Sequence, residues 1–94
     1  MKTYLITYNQ VLSLLLNAGG KDSQLEIKIK NFQLWARPFP NIWLIKTSGT
    51  RQAVFDYLKP ALGPGDKILI IEVTSDWISI NLSNQVVDWM KGHI

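Results

Sequence analysis

Ninety-four residues make one domain, spanning 1–94, and leave no room for a second. Hydrophobic residues reach 47% while charged ones stop at 18%, below the ~25% of ordinary soluble domains. That is more apolar surface than a small monomer hides, and a homodimer is the expected remedy. With no cysteine and one histidine, His93, the chain excludes thiolate chemistry, disulfides, Cys-ligated zinc and multi-histidine metal sites.

The net charge of +3 comes from few acids (7) rather than many bases (10). It fits an anionic partner such as RNA or DNA, and it equally fits ordinary surface lysines, since no basic block occurs. The longest apolar stretch, Val11 to Leu16, is broken by Ser13 and is far shorter than the ~20 residues of a membrane span. After Lys2 the chain alternates like a strand, so no signal-peptide apolar region is read there. A cytoplasmic protein with no membrane partner is expected.

Thr3 to Tyr8 alternates, with Tyr4, Ile6 and Tyr8 on one side and Thr3, Leu5 and Thr7 on the other, as a central strand does. Gln10 to Asn17 is leucine-rich and reads as a short helix stopped by Gly19-Gly20, with Asn9 as its N-cap. Lys21 to Gln33 carries two patterns. Leu25, Ile27 and Ile29 alternate as in a strand; Leu25, Ile29 and Phe32 also keep helical spacing. Ser23 with Glu26 three residues on is a capping box, and Glu26–Lys30 is a well-oriented i, i+4 pair, so helix is preferred. Lys28 and Lys30 then form its solvated side.

Pro38 and Pro40 mark a loop after Leu34-Trp35-Ala36. Ile42 to Thr47 is a second strand, Ser48-Gly49-Thr50 a turn with caps, and Arg51 to Lys59 a helix, where either Lys59 closes the regular helix or Pro60 opens a last turn. Gly63-Pro64-Gly65-Asp66 is a loop. It leads into a strand and lacks the Lys-Ser/Thr of a phosphate-binding loop. Lys67 to Thr74 is apolar on both faces and reads as a central, doubly covered strand. Asp76 to Asn81 is a short edge strand, and Ser83 caps a last helix over Asn84 to Lys91.

Two strand–helix–strand passages in so short a chain indicate an α+β, ferredoxin-like sandwich: an antiparallel sheet of four or five strands, helices on one face, the other face free to dimerise.

Tyr4-Leu5-Ile6-Thr7-Tyr8, Trp35-Ala36-Arg37-Pro38, Trp43-Leu44-Ile45-Lys46-Thr47, Ile71-Glu72-Val73-Thr74-Ser75-Asp76-Trp77, Asn81-Leu82-Ser83 and Val87-Asp88-Trp89 stand in an order and spacing that can be compared with known families. Together they resemble a family of small bacterial and mobile-element proteins related to the second adaptation protein of CRISPR systems and to virulence-associated protein D. The resemblance covers most of the chain outside Gln10 to Gly20. It implies a ferredoxin-like homodimer, with relatives that are metal-dependent endonucleases, toxin-like ribonucleases or structural subunits that hold DNA. It also implies an Asp after an aromatic residue at the end of the first strand, shared across the dimer by Mg²⁺. Tyr8 holds the aromatic position, but Asn9 stands where that Asp is expected. A neutral amide oxygen is a weaker Mg²⁺ ligand and cannot accept a proton from attacking water.

The candidate catalytic positions are therefore Asn9, at the place of the family Asp and expected inactive, with Tyr8 and Asp76. No metal ligand and no cofactor is expected. Asn9 also reads as a helix cap, and Asp76 as a turn residue. Arg37, Lys46 and Arg51 are candidate phosphate contacts, and Trp35 a stacking platform for an unpaired base. The same residues also read as solvated charges and packing. The expected function is a nuclease-like homodimer with a degenerate metal site, binding nucleic acid or a partner. One alternative is an active Mg²⁺-dependent ribonuclease with Asp76 or Glu72 as a relocated acid; another is a structural interaction protein with no nucleic-acid role.

Overall fold

The computed structural model describes residues 1–11 and 22–94. Its elements are β1 (Lys2–Asn9), α1 (Gln24–Lys30), β2 (Leu34–Phe39), β3 (Ile42–Thr47), α2 (Arg51–Leu58) prolonged by a 3₁₀ turn (Lys59–Ala61), β4 (Lys67–Glu72) and α3 (Asn84–His93). One antiparallel sheet runs β2-β3-β1-β4. The units β1-α1-β2 and β3-α2-β4 interleave in it, as in a ferredoxin-like sandwich. The leucine-rich segment expected to be a helix lies almost wholly outside the described residues.

One face of the sheet carries Tyr4, Ile6, Tyr8, Trp43 and Ile45, and α1 and α2 cover it with Leu25, Ile29, Val54 and Leu58. The capping box settles α1: the Ser23 hydroxyl accepts from the Glu26 N–H, and the Glu26 carboxylate accepts from the Ser23 N–H at 2.8 Å. Leu25 and Ile29 are fully buried while Ile27 is 45% exposed. A strand would have put all three on one face. The expected Glu26–Lys30 pair does not form. Lys30 pairs with Asp22, and Glu26 turns inward.

Three expectations need correction. The loop expected after Ala36 begins only past Phe39: Arg37 to Phe39 belong to the strand Leu34–Phe39, where Pro38 is tolerated because β2 is an edge, with a bulge between Ala36 and Phe39. Asp76 to Asn81 is a loop. And β4 is an edge strand rather than a central one: Ile68 and Ile70 pack on the core, while Leu69 and Ile71 remain 55% and 43% exposed. Its double-sided apolarity is real, but among the described residues only the core side is covered.

The helix α3 is an addition on the opposite face. Ser83 caps it, and the Thr3 hydroxyl, pointing away from α1 and α2, donates to the His93 carbonyl at 2.5 Å. Met90 is buried there. His93 is helical and stacked on Trp89, 4.7 Å between ring centres.

Ile29→Ala is expected to lose about 2–5 kcal/mol of stability, because it empties a filled site. Ile27→Ala, on the exposed side, is expected to lose under about 1 kcal/mol. Urea unfolding of the two variants checks this; equal losses would contradict the helix orientation.

Candidate interaction site

The candidate residues lie in five different places. Tyr8, Arg37 and Trp35 belong to the α1 side of the sheet. Tyr8 sits inside the core, its hydroxyl donating to Glu26 Oε2 at 2.5 Å and accepting from Trp43 Nε1 at 2.8 Å. Arg37 on β2 donates to the same Glu26 oxygen at 2.7 Å, to Asp22 at 3.3 Å and to the Pro40 carbonyl, and its guanidinium lies 4.4 Å from the centre of the Trp43 ring. Trp35 leans on Trp43 at 5.2 Å with Lys30 above it.

This set ties α1 to β1, β2 and β3. Glu26 is nearly buried, and a buried carboxylate is tolerable only when paired. Withdrawing Arg37 to hold a phosphate would strand that charge, at several kcal/mol. Arg37 is thus a structural partner in this fold. Glu26 was legible in the sequence only as a cap. The missed signal is its place on the buried side of α1, three residues before Ile29.

The end of β1 holds the family's expected metal position. Asn9 is exposed and in register with Lys67, a cation. The acid at this end of the sheet, Asp66, accepts from the Gly63 N–H at 2.8 Å, the Val11 N–H at 3.0 Å and Gln10. These amides, Gly63 first, hold its carboxyl below the usual range. Asp66 fastens the left-handed turn at Gly65 (φ 82°) and is fully engaged in doing so. Among the described residues no group of three or more His, Cys, Asp or Glu could hold a metal ion.

Lys46 points to the opposite face, in register with Thr3 and Leu34. Arg51 opens α2 beside Lys2 and Gln52. Asp76 lies on an exposed loop, its N–H donating to the Thr74 hydroxyl. The four nucleic-acid candidates therefore form no single patch.

What the second face does build is a groove of about 880 Å³. Leu5 and Leu44 form its floor, Met90 and Ile94 of α3 one wall, and the loop after β4, with Trp77 and Ile80, the other. Ile78 and Ile80 are 97% and 84% exposed on that loop. Asn81 turns the chain there with a left-handed backbone (φ 63°), which asparagine tolerates. The charged residues at the rim, Glu72 and Asp76, are both acidic. Beyond the groove Leu69 and Ile71 continue the apolar surface to the sheet's edge.

No helix among the described residues is long and apolar enough to cross a membrane. No family model, no curated protein and no solved structure matches the chain. The family resemblance therefore stands on its quoted residues alone.

Burial first, and then the hydrogen bond to Glu26, push the Tyr8 phenol well above its ordinary value. The folded state keeps a proton that the unfolded chain releases near pH ~10, so this contribution is intact below that pH and is lost as pH rises through it. Tyr8→Phe leaves the Trp43 N–H without an acceptor and is expected to cost about 1–3 kcal/mol at neutral pH. Its disadvantage should shrink above pH ~10, read by urea midpoints across the alkaline range. A pH-independent gap would contradict the assignment.

Proposed function

We propose that the chain works as a homodimeric partner-binding module on a nuclease-like frame, without metal chemistry of its own, in the cytoplasm. The observation that carries this reading is the apolar second face, where Leu69, Ile71, Ile78 and Ile80 lie open around a groove. Isolated exposed apolar residues mean little, but a continuous apolar patch marks an interface.

Two features favour binding over catalysis. Asn9, in the position of the family acid, is aligned with Lys67, whose charge opposes a cation there. Asp66 is engaged by backbone amides, and Asp76 and Glu72 lie at the rim of an apolar groove. Protein is favoured over nucleic acid as the partner, because Arg37 is held by Glu26 and Asp22 while Lys46 and Arg51 sit on separate surfaces.

Light scattering is expected to report twice the 10.7 kDa chain mass. Single-stranded RNA with Mg²⁺ or Mn²⁺ should stay uncut, and a gel should show no retardation that weakens with salt. A 10.7 kDa particle would end the dimeric reading. EDTA-sensitive cleavage would restore the nuclease, and salt-dependent retardation would restore the nucleic-acid reading.

A further inference from the structure

The two edges of the sheet are built differently. β2 carries Arg37, Pro38 and a bulge, and α3 packs against it. Those are the devices by which proteins stop an edge from pairing. β4, against whose core side α2 packs, runs Lys-Ile-Leu-Ile-Ile-Glu without proline or bulge, and its charges, Lys67 and Glu72, stand at the two ends.

The ladder also fixes which backbone groups of β4 point toward β1 and which point away from it. The Val73 N–H donates to the Thr3 carbonyl at 3.0 Å, and Thr3 is aligned with Val73 by the register of Tyr4 with Glu72. Hydrogen-bonded pairs alternate along an antiparallel ladder. Lys67, Leu69 and Ile71 therefore turn their N–H and C=O groups toward β1, and Ile68, Ile70 and Glu72 turn theirs outward.

We infer that β4 is the dimer seam: two copies pair edge to edge, antiparallel, about a two-fold axis at Ile70, joining two four-stranded sheets into one of eight. This rests on the dimeric reading above and adds its geometry. Outward groups can bond only to outward groups, and of the registers that allow this the one centred on Ile70 engages all three outward residues, so Ile70 meets Ile70 of the partner subunit and Ile68 meets Glu72 of the partner subunit. Leu69 then faces Ile71 of the partner subunit in a close, non-hydrogen-bonded pair, on the face where both are exposed. The antiparallel direction also sets the basic start of one strand beside the acidic end of the other. A parallel pairing would set like charges together.

The chain has no cysteine, which makes the test clean. Leu69→Cys and Ile71→Cys alter exposed positions and should leave the fold intact. Facing residues of such a pair have Cα atoms about 4.5 Å apart, within disulfide reach. Subunits of the two variants are mixed, allowed to exchange and oxidised, then run on a non-reducing gel. The mixture is expected to give several-fold more covalent dimer than either variant alone. Equal yields from the mixture and the single variants, with light scattering still reporting a dimer, would overturn the seam and spare the dimer. A monomer by light scattering would overturn both.

Discussion

A sheet that is apolar on both faces must be covered on both, and among the described residues there are helices enough for one. α1 and α2 close the first face with a core that runs from Leu25 to Leu58. Of the described helices α3 covers only part of the second, sealing Met90 and tying itself to Thr3. The groove, the open isoleucines of the loop after β4 and the exposed Leu69 and Ile71 of β4 are what the described residues leave uncovered. All three reflect how little covering structure a small domain brings to the second face of its sheet.

The covered face shows how the polar groups of the fold are settled. Glu26 caps its own helix and at the same time receives Tyr8 and Arg37, so one carboxylate joins the helix to three strands. Trp43 lies beneath Arg37 and donates to Tyr8. Such a set tolerates little rearrangement, because each buried group compensates another. The buried polar network thus belongs to the helical side, and the open groove to the other.

The architecture was largely legible in the residues. The alternation of Tyr4, Ile6 and Tyr8, the capping box at Ser23 and the cap at Ser83 all stand where expected. The edges were not. Leu34 to Phe39 hides behind its prolines, which local rules assign to loops, while only the sheet order reveals that an edge admits them. β4 reads as central because hydrophobicity reports what a strand needs covered, not what covers it within one chain. The partners of the candidate site residues were hidden for a similar reason. Arg37 and Trp35 read in isolation as nucleic-acid contacts or as solvated charge and packing, and only the tertiary contacts add Glu26 beside the one and Trp43 beside the other. Asp76 to Asn81 has the alternation of a strand without a strand beside it.

The most direct measurement is residue-resolved amide hydrogen exchange along β4 in the unmodified protein. Leu69 and Ile71 bond to β1 and serve as the internal reference. If two copies join at this edge, the amides of Ile68, Ile70 and Glu72 should exchange as slowly as that reference. Fast exchange at those three, beside slow exchange at Leu69 and Ile71, would mean that the edge is open to water and that the surplus apolar surface is covered elsewhere or not at all.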